Sequence, residues 1–142
     1  MASVTSTLFS LDIEGMDWWI WKEISQIEPR IVVVEYNAAF GPERSLTVPY
    51  QDNFSRWDHH SSGLYYGASL AALVKLGIEK NYRFVGCNSS GVNAFFIGEH
   101  VAPAVLPPLP LAEGFRENTA QNRIIPHARQ FAAIQHLDFV SV

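Results

Sequence analysis

Cysteine is almost absent from this chain: Cys87 is the only one in 142 residues. One thiol excludes an internal disulfide framework and a cysteine-based zinc site, and it suits a reducing, cytoplasmic setting. Cations are also in deficit, with ten Lys and Arg against fourteen Asp and Glu, a formal net charge of −4. A sequence-independent grip on nucleic acid or an anionic membrane needs the opposite surplus, so neither is an expected partner. No run approaches the roughly 20 apolar residues that span a bilayer, and the opening MASVTSTLFSLDIEG lacks the basic start of a signal peptide. A soluble, intracellular protein is expected. What the chain does have is apolar material: 48% hydrophobic against 17% charged residues. That suffices for one core of ordinary size, and the length is too small for two, so a single domain over residues 1–142 is expected.

The apolar runs are short and bounded by turn residues. TLFSL runs into Asp12, and RIVVVEY, Arg30 to Tyr36, ends in NAAFGPE, whose Asn, Gly and Pro are turn formers. IVVV does not alternate, which predicts a strand buried on both faces of a parallel sheet. Between these runs, Trp18, Ile20, Trp21, Ile24 and Ile27 recur mostly at three- and four-residue steps up to Pro29, which predicts a helix and hence a right-handed βαβ unit. Asn37 to Tyr66 shows no sustained period. A loop of that length either binds something or conceals an element, and the binding loop is the favoured reading. Its aromatic residues suit a lid over an apolar substrate and equally suit packing on the sheet. GASLAALVKLGIEKNY then predicts a second helix, with Leu70, Leu73, Val74 and Leu76 on one face. RFVGCN and NAFFIG, joined by SSGV, predict an antiparallel hairpin. APAVLPPLPLAEG carries four of the eight prolines and reads as an extended linker. A short helical pattern in PHARQFAAIQHL and a terminal DFVSV complete the chain.

Polar residues concentrate where these runs stop. Asp12 closes the first predicted strand, Glu14 and Asp17 follow it, and Asp17 stands where it can cap or begin the helix. Glu35 and Asn37 close the second strand. Open parallel sheets place ligands at the carboxyl ends of their strands, and neighbours about 4.8 Å apart put Asp12, Glu35 and Asn37 on one rim, within reach of one small ligand or ion. Carboxylate and amide oxygens suit a hard cation. His59 and His60 are adjacent in the long segment, but neighbours in an extended chain point apart and seldom serve one ion.

DIEGMD at Asp12 to Asp17, VVEYN at Val33 to Asn37 and VGCNSSGVNAFFI, in that order, resemble the C-terminal half of class I methyltransferases that use S-adenosylmethionine, in particular the FkbM-type group. In that group a DIDGND-like motif closes the fourth strand and a VIEYN-like motif the fifth. The tail ARQFAAIQHLDFVSV is similar too, so the resemblance covers nearly the whole chain. It implies an α/β fold with a partial Rossmann-like sheet of about four strands, mostly parallel, ending in an antiparallel hairpin. The expected order is first strand, second strand, last hairpin strand running antiparallel, then its partner. The family's N-terminal half, with the glycine-rich loop that cradles the cofactor, has no counterpart here: no GxGxxG stands between a strand and a helix.

The resemblance implies methyl transfer from S-adenosylmethionine to a hydroxyl of a small molecule or sugar, as part of a larger assembly. Asp12 and Glu35 are then the catalytic candidates, and Asp12, Glu35 and Asn37 the Mg²⁺ ligands, by similarity to catechol O-methyltransferase. Glu14, Asp17, Tyr36, Asn37, Trp57 and His59 fall on the substrate side. The alternative is a non-catalytic binding or oligomerisation module derived from the same fold. Either way, the unpaired edge of TLFSL implies a homo-oligomer, or a partner chain that supplies the missing half.

Overall fold

The four strongest apolar runs pair into one sheet in the computed structural model, which describes residues 6–142; what was read from Met1 to Thr5 lies outside it. Strand β1 (Leu8–Leu11) lies parallel to β2 (Ile31–Glu35), with Leu8 opposite Ile31 and Leu11 opposite Val34. On the other side of β2 runs β5 (Asn93–Gly98), antiparallel, and β4 (Tyr82–Cys87) runs antiparallel to β5. The order β1-β2-β5-β4 is the expected one. The pairing is not mostly parallel: among the described residues β1 and β2 are the one parallel pair, so the sheet is mixed. The short turn between β4 and β5 forces that outcome, because a parallel pair needs a crossover of a dozen or more residues.

Helix α1 (Asp17–Glu23) is shorter than its periodicity predicts, because Ile24 is already extended and Ile27 falls beyond the helix. It buries Trp18 and Trp21, and the Trp18 indole donates to the Ala72 carbonyl at 3.3 Å. That carbonyl belongs to α3 (Leu70–Glu79), which is capped by the Ser69 hydroxyl accepting from the Ala72 amide. Leu70, Ala72, Leu73 and Leu76 are buried on α3, while Val74 is only partly so. Both helices pack in one core with Val32, Val34, Tyr36, Phe84 and Phe96. Each of the larger aliphatic side chains buried there contributes about 1.5–3 kcal/mol. The alternate positions of β2, Ile31, Val33 and Glu35, are only partly buried. The strand is therefore closed on one face and half open on the other, not buried on both.

The segment Asn37 to Tyr66 is built into the fold rather than laid over it. It contains a 3-10 turn (Ala38–Phe40), the two-residue β3 (Leu46–Thr47) and α2 (Arg56–His59). Strand β3 pairs with β6 (Val140–Ser141) at the end of the chain. Phe40, Val48, Leu64 and Tyr65 form a second core with Ile134 of α6 (His127–Ile134). The proline-rich stretch is only in part the extended linker expected: it opens on a turn in which the Val105 and Leu106 amides donate to the Ala102 carbonyl, and it is held down where the buried Arg83 guanidinium donates to carbonyls of Leu106, Gly98 and Val101. It leads into the single turns α4 (Leu111–Gly114) and α5 (Thr119–Asn122).

Asn37 joins the two cores. Its side chain is fully buried, its amide donates to the carbonyls of Leu64 at 2.6 Å and Tyr66 at 2.9 Å, and its oxygen accepts from the Ala39 amide at 3.0 Å. Replacing it with Ala strands two buried carbonyls and an amide, and is expected to cost roughly 2–4 kcal/mol. Urea denaturation of Asn37→Ala measures this; a midpoint equal to that of the wild type contradicts the clamp.

Candidate functional site

Strand register alone brings the two leading acids together. Leu11 faces Val34 across β1 and β2, so the next residues, Asp12 and Glu35, emerge side by side at the carboxyl ends of the parallel pair. Alternation puts Glu35 on the half-open face and Tyr36 on the other. After Asp12 the chain turns sharply: Glu14 has φ +60° and Gly15 φ +134°, and a side chain on Gly15 would sit 2.6 Å from the Phe54 ring. Asp17 closes this turn. Its carboxylate accepts from the Ile13 and Gly15 amides, each at 3.1 Å, and it is 1% exposed. Burial pushes its pKa up, and the charge of Asp12 adds to that.

Several residues assigned to the substrate side therefore have other work. Asp17 is a turn staple, and Glu14 is exposed on the turn it closes. Tyr36 points into the core and donates its hydroxyl to the Arg116 carbonyl at 2.6 Å; burial, with Cys87 beside it, raises its pKa strongly. Asn37 spends its amide on the loop carbonyls and its oxygen accepts from Ala39. Among the described residues no group of three or more His, Cys, Asp or Glu is placed to hold a metal ion. Of the residues expected to hold Mg²⁺, Asp12 and Glu35 lie together on the rim, while the Asn37 side chain is engaged within the fold. Trp57 is 65% exposed, its ring lying against Gly63. His59 stacks on Phe54 and meets Gln51.

What surrounds Glu35 was only partly visible in the sequence. Its Oε1 is buried without a hydrogen-bond partner. Burial raises its pKa to about 8, the charges of Asp12 and Asp17 push the same way, and Arg56 opposes them. The guanidinium of Arg56 lies 4.2 Å from the Tyr66 ring centre, and Gln121 of α5 donates to the Tyr66 hydroxyl at 3.0 Å. Tyr66 in turn is held neutral, its pKa raised to about 12 by burial and by Glu35. Arg56 Nε and Gln121 Oε1 are also buried and unpartnered. Of these three, Tyr66 was marked by its place in an aromatic segment. Arg56 and Gln121 carried no signal, being a lone cation and a lone amide in polar stretches.

A carboxyl with a pKa near 8 beside an exposed carboxylate is a proton donor at neutral pH and a base just above it. A larger cavity lies elsewhere, about 430 Å³ at the opposite end of the sheet, beside Phe9, Trp21, Glu28, Lys80, Tyr82 and His100. Its ammonium group, Lys80 Nζ, is already committed to the Ile24 carbonyl at 2.7 Å. Size favours that cavity, but unsatisfied polar groups and the perturbed acid favour the rim, and chemistry needs the latter. No protein-family model matches the chain, and comparison with curated proteins and with solved structures returned no match.

The raised acid has a consequence for stability. The native state keeps a proton on Glu35 that the unfolded chain releases between pH 4.5 and about 8, so this contribution is full below 4.5 and lost as pH rises through 8. Glu35→Gln, which stays neutral, is expected to be more stable than the wild type at pH 9 by on the order of 1–2 kcal/mol, allowing for solvent screening, and near equal at pH 4. Denaturant midpoints at the two pH values measure it. A difference independent of pH would mean that Glu35 is not protonated in the native state.

Proposed function

We propose that this chain is the acceptor-binding half of a methyltransferase-like unit, in which the Asp12–Glu35 pair receives a hydroxyl of a small molecule or sugar. The observation that carries this is the paired carboxyls at the carboxyl ends of β1 and β2, with Glu35 poised near pH 8. The strand order β1-β2-β5-β4, with its reversed β5, supports it, because that is the order in which a sheet of this family would end. S-adenosylmethionine, bound by elements outside these residues, would supply an electrophilic methyl group. The chain's own part is proton transfer. Asp12 and Glu35 would hold the acceptor hydroxyl at the rim and take its proton as the oxygen accepts that methyl group. Tyr66, braced by Arg56 and Gln121, is a neighbour whose own ionisation Glu35 opposes.

A second reading, a non-catalytic assembly module, rests on β1. Among the described residues its outer edge has no partner, Leu8 is 55% exposed, and the adjoining sheet face is half open. One comparison separates the two. Binding of S-adenosylmethionine is titrated calorimetrically, first with the isolated chain and then with the chain purified with whatever accompanies it in its own cells. Saturable binding by the complex, together with transfer of labelled methyl that falls about 100-fold in Asp12→Asn/Glu35→Gln, is the expected result. No binding by either preparation discards the methyltransferase reading and leaves the assembly module.

A further inference from the structure

The long segment serves the rim through Arg56 and Tyr66, and it also lines a cleft that holds neither. This cleft, of about 270 Å³, lies against the C-terminal tail and is lined by Tyr50, Phe54, His59, Tyr65 and Asp138, among others. Its rings are held in place before any ligand arrives. The Tyr65 hydroxyl donates to the Asp138 carbonyl at 2.5 Å, and His59 Nε2 meets Gln51 Oε1 at 2.8 Å. Phe54 stacks on His59 with centres 5.1 Å apart and planes 17° apart, and Tyr65 leans on His59 at 5.2 Å. Tyr50 packs edge-on to Trp19 at 6.3 Å and donates its hydroxyl to Asp52 at 2.7 Å. Groups so braced lose little freedom on binding.

The chemistry of this lining is one-sided. Four aromatic rings line it, Tyr50, Phe54, His59 and Tyr65, the exposed Asp138 lies among them, and no Lys or Arg is among its lining residues. Aromatic faces carry the negative part of the ring quadrupole, so together with a carboxylate they attract a cation and repel an anion. The volume falls just below the roughly 300–1,000 Å³ of pockets for drug-sized molecules, which matches a head group rather than a large ligand. We propose that this cleft binds a small organic cation, a quaternary or alkylated ammonium group. Neither Asp12, Glu35 nor Arg56 lines it, so the assignment stands independently of methyl transfer.

Choline and its uncharged isostere 3,3-dimethylbutan-1-ol, titrated separately into the full chain and followed by tryptophan fluorescence and calorimetry, test this. Choline is expected to bind saturably, and the alcohol roughly tenfold more weakly, since only the charge differs. Tyr50→Leu and Asp138→Asn are each expected to weaken choline severalfold while melting like the wild type, Tyr50 being 56% exposed. Tyr50→Phe, which keeps the ring, retains binding. Equal affinity for the alcohol, no saturation up to about 50 mM choline, or indifference to Tyr50→Leu and Asp138→Asn each overturns the proposal.

Discussion

The buried side chain of Asn37 is the contact on which both candidate sites depend. It sits at the end of β2, and through the Leu64 and Tyr66 carbonyls it fixes a stretch of chain 27 to 29 residues away. Between those carbonyls lies Tyr65, whose ring lines the aromatic cleft, and Tyr66 itself stands beside Glu35. An amide is well suited to this, since it presents donors and an acceptor without a charge to desolvate. A carboxylate in the same place could not donate to either carbonyl. The residue that looked like a metal ligand is thus the one that gives the long segment its shape.

At the rim the balance is electrostatic. Burial raises the cost of ionising Glu35 and Asp17, and the charge of Asp12 adds to it at both, with that of Asp17 adding again at Glu35. The two resolve the cost differently. Asp17 takes two backbone amides, which lower the penalty, whereas Glu35 has none and holds its proton. An unpaired buried oxygen costs about 1–3 kcal/mol, an expense the fold carries where a group is kept reactive rather than satisfied.

The half-open sheet face follows from how the helices distribute. Trp18, Trp21, Leu73 and Leu76, from α1 and α3, enter one core with Val32 and Val34, leaving Ile31 and Val33 partly exposed on the opposite side of β2. The second core lies beyond the strand ends instead of under that face, because Asn37 turns the chain there and β3 closes on β6. Apolar strand surface without a full cover is a place where another chain gains by docking.

Local sequence determined a good deal: the strands from apolar runs between turn residues, α3 from its periodicity, the hairpin from a short linker, and Asp12 beside Glu35 from two strands ending in acids. Each of those depends on residues close together in the chain. What the tertiary structure decided lies in contacts across long separations. Strand β3 has two residues and is held between β6, from the far end of the chain, and a bridge from Thr47 to Ala68. Gln121 reaches Tyr66 across 55 residues, and Tyr65 reaches Asp138 across 73. Even IVVV, uniform in composition, became two different faces once helices covered only one of them. A single sequence records which side chains are apolar, but the face they cover depends on what packs against it. That is why the rim acids were legible and the groups that make Glu35 an acid were not.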